Sequence, residues 1–231
     1  MLKKLFKYFF MIKEGYRYIA VFKKTFFHPF ISESFLYKEL SKSRQNFSNG
    51  VLEFLNIEAK IIGNIPTKNH ILYAINHRSL LDMIVMESIF YKFNKTGTWI
   101  AKEKLFSAIY GDFFKYSGCI SVDIENKKGL FAFFKKIKGT LAKVDDLNIY
   151  IFPEGERYGG VGIKSFQNGA SKIALANHLE VVPVFINDTL EKVLKNSPFK
   201  ERKIVEVFFG EIIKAEALEE EYNKFMTKVT N

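Results

Sequence analysis

Between residues 71 and 209, short β-rich runs alternate with helical stretches, and no other feature constrains the fold of this chain so tightly. The runs cover 71–75, 98–101, 119–122, 148–152, 181–186 and 204–209. The helical stretches cover about 79–91, 105–116, 127–144 and 169–177, and 215–229 reads as a last amphipathic helix. Strands separated by helix-length segments predict an α/β fold, a mixed sheet flanked by helices. Pro183, inside the fifth run, argues against regular central pairing of that strand. No repeat or Pro/Ser-rich linker interrupts the pattern, so residues 51–231 are expected to form one catalytic-sized domain behind an N-terminal segment, 1–50.

Composition narrows the setting. Of 231 residues 48% are apolar, which excludes disorder for most of the chain. The longest stretch free of Asp, Glu, Lys and Arg is nine residues, 69–77. A bilayer-spanning helix needs about 20 apolar residues, so none is expected. The lone Cys119 excludes an internal disulfide framework, suits a reducing compartment, and sits in an apolar run as a core residue would.

The net charge of +10 is concentrated at one end. Residues 1–50 hold ten basic side chains against Glu14, Glu33 and Glu39, a balance of +7 that leaves only +3 for the rest. On a helical wheel Leu2, Leu5, Phe6, Phe9, Ile12 and Tyr16 share one face while Lys3, Lys4 and Lys7 lie opposite, with Lys13 near the apolar edge. A second aromatic and basic stretch, 18–27, runs up to His28-Pro29, where the helix should stop. A secretory signal would need an unbroken apolar core and a small-residue cleavage site, both missing. No nucleic-acid motif accompanies the basic residues, so nucleic acid is not an expected partner. An interfacial helix on an anionic membrane surface fits best, each well-placed cation adding ~1 kcal/mol of attraction. The plainer alternative is a helix that packs its Phe face on the main domain.

Four places could carry chemistry. Asn76-His77-Arg78-Ser79-Leu80-Leu81-Asp82 follows the first run directly, and strand ends in α/β sheets are where ligands usually sit. If a helix begins near Ser79, the Asp82 carboxylate folds back onto the His77 ring, orienting one nitrogen and leaving the other free to accept a proton. The same residues also read as a turn followed by a capped helix. Phe152-Pro153-Glu154-Gly155-Glu156-Arg157 follows another apolar run: Gly155 permits close backbone approach, Arg157 offers a fork for phosphate or carboxylate, and Glu154 could orient Arg157 or cap amides. A surface turn with an ion pair explains it equally. Lys164 follows a Gly-rich stretch that reads as a mobile loop beside this turn. Lys102, in Lys102-Glu103-Lys104-Leu105, follows the run 98–101 and could meet an anion or simply open a helix. The fourth is Val181-Val182-Pro183-Val184-Phe185. Metal chemistry finds no support, since His28, His70, His77 and His178 lack ligand spacing. Phosphate-binding glycine fingerprints are absent as well.

In this order the four blocks resemble the 1-acylglycerol-3-phosphate acyltransferase family, the HxxxxD glycerolipid acyltransferases. The resemblance runs from about residue 71 to 186, half the chain. It implies an O-acyltransferase of phospholipid biosynthesis, with His77 as general base and Asp82 as its orienting partner. The acceptor hydroxyl would attack the thioester of acyl-CoA or acyl carrier protein directly, which agrees with the absence of a plausible Ser or Cys nucleophile. Arg157 and Lys102 would hold the acceptor phosphate, while Glu154 and Gly155 shape that pocket. No metal or other cofactor is implied. Lysophosphatidic acid, a lysolipid, would be the acceptor, giving phosphatidate. The basic aromatic segment would hold the protein as a peripheral one on the cytoplasmic face of the cell membrane.

The chain departs from the family pattern where phosphate should bind. Ile124, not Arg, follows Val122-Asp123; Glu156 replaces a Thr before Arg157; and Gln167 stands where the family has Lys. These changes leave open a lysolipid with a different head group, such as an amino-acid lipid, and a non-enzymatic membrane-binding relative.

Overall fold

A computed structural model describes residues 2–123, 127–160 and 162–231, without the side chains of 2–5, 127 and 128. Two long helices open the chain: α1 (Leu2–Phe26) and α2 (Glu33–Leu55). Ser32 caps α2 by accepting the amide of Phe35, and Asn56 ends it in a left-handed conformation. There follow β1 (Ile57–Ile62), β2 (Ile71–Ile75), α3 (Leu81–Lys92), β3 (Thr96–Lys102), α4 (Gly111–Tyr116) and β4 (Ile120–Val122). The rest is α5 (Lys127–Leu141), β5 (Leu147–Ile151), α6 (Gly169–Ala176), β6 (Glu180–Ile186), α7 (Leu190–Asn196), β7 (Lys203–Phe209) and α8 (Leu218–Thr230).

The strands form one mixed sheet in the order β1-β7-β6-β2-β5-β3-β4. All neighbours are parallel except β6 and β7, so β1 and β7 run against the other five. Strand alternation divides the core between two faces. Ile71, Tyr73 and Ile75 point into one apolar cluster with α2 and α3, while Leu72 and Ala74 point into another with α5 and α6. The mixed, helix-flanked sheet is therefore as the alternation predicts.

Two expectations change. β6 lies in the middle of the sheet despite Pro183. The proline sits just past the end of the β6–β7 ladder, where Gly210 donates its amide to the Pro183 carbonyl. Residue 50 falls inside α2, which continues unbroken to Leu55 and buries Tyr37, Leu40, Arg44, Phe47, Val51 and Leu52. Of the two settings open to α1, the plainer one is not found: its aromatic face is not packed on the domain. Phe22 is buried, Phe10 stacks on Phe54, and Phe6, Phe9, Ile12 and Tyr16 remain exposed. Lys7, on the face opposite them, is fully buried and donates to the carbonyls of Leu194 and Ser197 at the end of α7. Among the described residues no helix is long and apolar enough to cross a membrane.

Candidate active site

The five co-directional strands bring their carboxyl ends to one edge of the sheet, and the first three motifs lie there. Asn76 extends the β2–β6 pairing with its side chain, donating to the Ile186 carbonyl at 3.1 Å and accepting its amide at 2.7 Å. The chain then turns, and α3 begins at Leu81 with Asp82 as its second residue.

Asp82 is buried, and its Oδ2 accepts three bonds: from His77 Nδ1 at 2.9 Å, from the Arg78 amide at 2.5 Å and from the Ser79 amide at 2.8 Å. The geometry of this motif thus accommodates the capping and the orienting readings together. The carboxylate satisfies turn amides that a helix N-terminus leaves open, and by accepting a hydrogen bond from Nδ1–H it also favours the His77 tautomer with Nε2 unprotonated. His77 Nε2 has no hydrogen-bond partner among the described residues and is free to accept a proton. The imidazole lies flat on Phe152, with ring centroids 3.9 Å apart and planes within 10°. Phe152 opens the Phe152–Arg157 block, yet its type alone did not reveal this role.

Glu154 is buried, and each oxygen holds a backbone amide: Oε1 accepts from His77 at 2.7 Å and Oε2 from Lys164 at 2.9 Å. Of the roles open to it in the sequence, it caps amides. Burial raises its pKa, opposed by those two amides. Gly155 adopts φ +70°, and a Cβ there would lie 3.1 Å from Gln167 Cγ and 3.9 Å from Lys102 Nζ. Glycine is needed both for the backbone and for the space. Lys102, Gly155 and Gln167 are therefore neighbours. Lys102 is half-buried and Arg157 exposed, and neither ion-pairs among the described residues. Glu156 is paired with Lys164, which holds its carboxyl below the usual range, with smaller pulls from Lys102 and Lys104. The anion added to this motif is thus already neutralised. Ile124 lies outside the described residues.

The glycine-rich stretch is tied to the same turn. Tyr158 donates its amide to the His77 carbonyl at 2.8 Å, and Arg78 donates to the carbonyls of Gly160 and Gly162. Cys119 is buried and its thiol is pushed up by that burial, so it is a poor nucleophile.

Three comparisons bear on this arrangement. A 1-acyl-sn-glycerol-3-phosphate acyltransferase of Helicobacter pylori is 34% identical over 57% of this chain and 54% of its own length. That of Escherichia coli is 26% identical over 66% of this chain and 61% of its own length, so the chain spans somewhat more than half of these curated relatives. The crystal structure of the 1-acyl-sn-glycerophosphate acyltransferase PlsC from Thermotoga maritima has the same fold, with TM-score 0.68, 22% identity, and coverage of 99% and 93% of the two chains. The Acyltransferase family model matches residues 56–187, which include His77, Asp82, Lys102 and Arg157. With more than half of its length inside that match, the chain belongs to the Acyltransferase family.

Proposed function

We propose that this protein transfers an acyl chain from acyl-CoA or acyl carrier protein to the free hydroxyl of a lysolipid, with 1-acylglycerol-3-phosphate as the acceptor and phosphatidate as the product. One observation carries the reading: Asp82 holds His77 through Nδ1, while Nε2 has no hydrogen-bond partner among the described residues. His77 Nε2 takes the proton of the acceptor hydroxyl as its oxygen attacks the thioester carbonyl. The tetrahedral intermediate collapses, the C–S bond breaks, and the imidazolium returns the proton to the departing thiolate. Lys102 and Arg157 supply the positive charge for the acceptor phosphate.

The protein works at an anionic membrane surface, on the cytoplasmic face of the cell membrane. Support comes from the outer face of α1, where Phe6, Phe9, Ile12 and Tyr16 stand in water beside the exposed Lys13 and Arg17. Phe30 (91% exposed), in the turn after α1, and Ile109 (97%), before α4, are further exposed apolar side chains, and α4 packs on α1 through Phe22 on Phe113 and Lys23 on Asp112.

A lysolipid with another head group is the second reading, favoured by Gln167 beside Gly155 in place of the family's lysine. The test is thioester consumption by the purified protein in mixed anionic micelles with a panel of lysolipids. Turnover with lysophosphatidate that falls 10²–10⁴-fold in His77→Ala is expected for a lost general base. Turnover with a different lysolipid alone selects the second reading. Vesicle binding by folded protein with no thioester loss for any acceptor refutes the enzyme.

A further inference from the structure

The Asp82 bond fixes one atom of the His77 ring, and a ring held at one atom can still pivot. Its plane decides where Nε2 points. The flat contact with Phe152 removes that freedom, and the contact continues inward: Trp99 stacks on Phe152 with centroids 4.9 Å apart and planes within 29°. The indole is itself fixed, since Trp99 Nε1 donates to Glu87 Oε1 at 2.8 Å. The same oxygen accepts Arg44 Nε at 2.5 Å, and Arg44 also donates to the carbonyls of Ser117 and Gly97. Trp99, Glu87 and Arg44 are all about 1% exposed.

Stability alone does not account for this buried ion pair. Glu87 Oε2 has no hydrogen-bond partner among the described residues, and a buried pair of this kind is often less stabilising than apolar side chains of similar volume. What it does achieve is a defined indole orientation on the catalytic side of the sheet. We infer that Trp99 is a positioning residue for His77: through Phe152 it sets the imidazole plane, and the Arg44–Glu87 pair between α2 and α3 holds Trp99 in place. The inference rests on the general-base role of His77.

The experiment compares the full-length wild type with Trp99→Leu, Trp99→Phe and Phe152→Leu, each first shown to be folded by its urea midpoint. Trp99→Leu should lower kcat about ten-fold or more, as expected of a misaimed base. KM for donor and acceptor should stay within about two-fold, the signature of a change felt only in the transition state. Trp99→Phe, which keeps a ring on Phe152, should recover most of that loss. Independently of turnover, the His77 ring protons, assigned by their disappearance in His77→Ala, should resonate upfield in the wild type because they lie on Phe152. They should move downfield in Trp99→Leu.

Unchanged kcat in folded Trp99→Leu, an equal loss in Trp99→Phe, or a rise in KM that accounts for the whole effect would each overturn the inference. If Trp99→Leu does not fold, Phe152→Leu must give the kcat loss and proton shift, and failure there overturns it too. A wild type that transfers no acyl group refutes the proposed function instead, and the proton shift then decides the positioning claim alone.

Discussion

Arg44→Met tests the energetics of the buried pair. Methionine keeps an unbranched side chain of similar length but removes the charge that faces Glu87. Glu87 is then a buried carboxylate whose remaining hydrogen bond is the one from Trp99 Nε1. Removing one partner of a buried ion pair typically costs about 3–5 kcal/mol. The carbonyls of Gly97 and Ser117 also lose a charged donor, although Ser41 Oγ still bonds the Gly97 carbonyl at 3.0 Å and limits the added loss. Against a total stability of about 5–15 kcal/mol, this is a large fraction. Adding Glu87→Gln to Arg44→Met removes the stranded charge yet keeps an oxygen for Trp99. The double variant should therefore be more stable than Arg44→Met alone, by about 1–3 kcal/mol. Urea unfolding followed by fluorescence reads this directly, because Trp99 is the protein's one tryptophan. A loss below about 1 kcal/mol for Arg44→Met, or a double variant less stable than the single, would refute the reasoning.

Other outcomes follow from the same structure. Phe9→Glu or Ile12→Glu, at positions 64% and 58% exposed, should weaken binding to anionic vesicles about ten-fold or more in co-sedimentation while leaving the urea midpoint unchanged. Gly97→Ala would put a Cβ 2.2 Å from the Tyr150 ring, so it should cost about 1–3 kcal/mol by urea unfolding. Cys119, buried and with its thiol pushed up, should resist iodoacetamide at pH 8 in native buffer and react within minutes in denaturant; fast native labelling would contradict its burial.

The sequence exposes those parts of the fold whose pattern is simple. β2 has the expected bounds, and the runs at 148–152 and 204–209 shift by only a residue from β5 and β7. β1 escaped because Glu58 and Lys60 interrupt its apolar residues. α2 blurs its own period by burying Ser41, Arg44, Gln45 and Ser48 among apolar neighbours. Arg44 and Lys7 consequently read as surface charge in the basic segment, whereas both are used inside the protein. The asymmetry of +7 over residues 1–50 therefore overstates the charge available to a membrane by two. Exposure of the α1 aromatic face was equally hidden, because an amphipathic helix has the same period whether protein or lipid covers it.

The candidate site is more legible than α2 because it hangs on strand register, which sequence spacing reflects. Ala74 and Ile151 are partners in the parallel pairing of β2 with β5. Three residues beyond each stand His77 and Glu154, and there the Glu154 carboxylate takes the His77 amide. Equal offsets from a shared register bring the two motifs together without any long loop having to find its place. A histidine followed by an aspartate, or a Pro-Glu-Gly turn, says little alone. Two such motifs at matched distances past adjacent strands must meet once the strands pair. Trp99 carries no comparable signal, since its link to His77 runs through ring stacking across the sheet, and contacts of that kind leave no spacing to read.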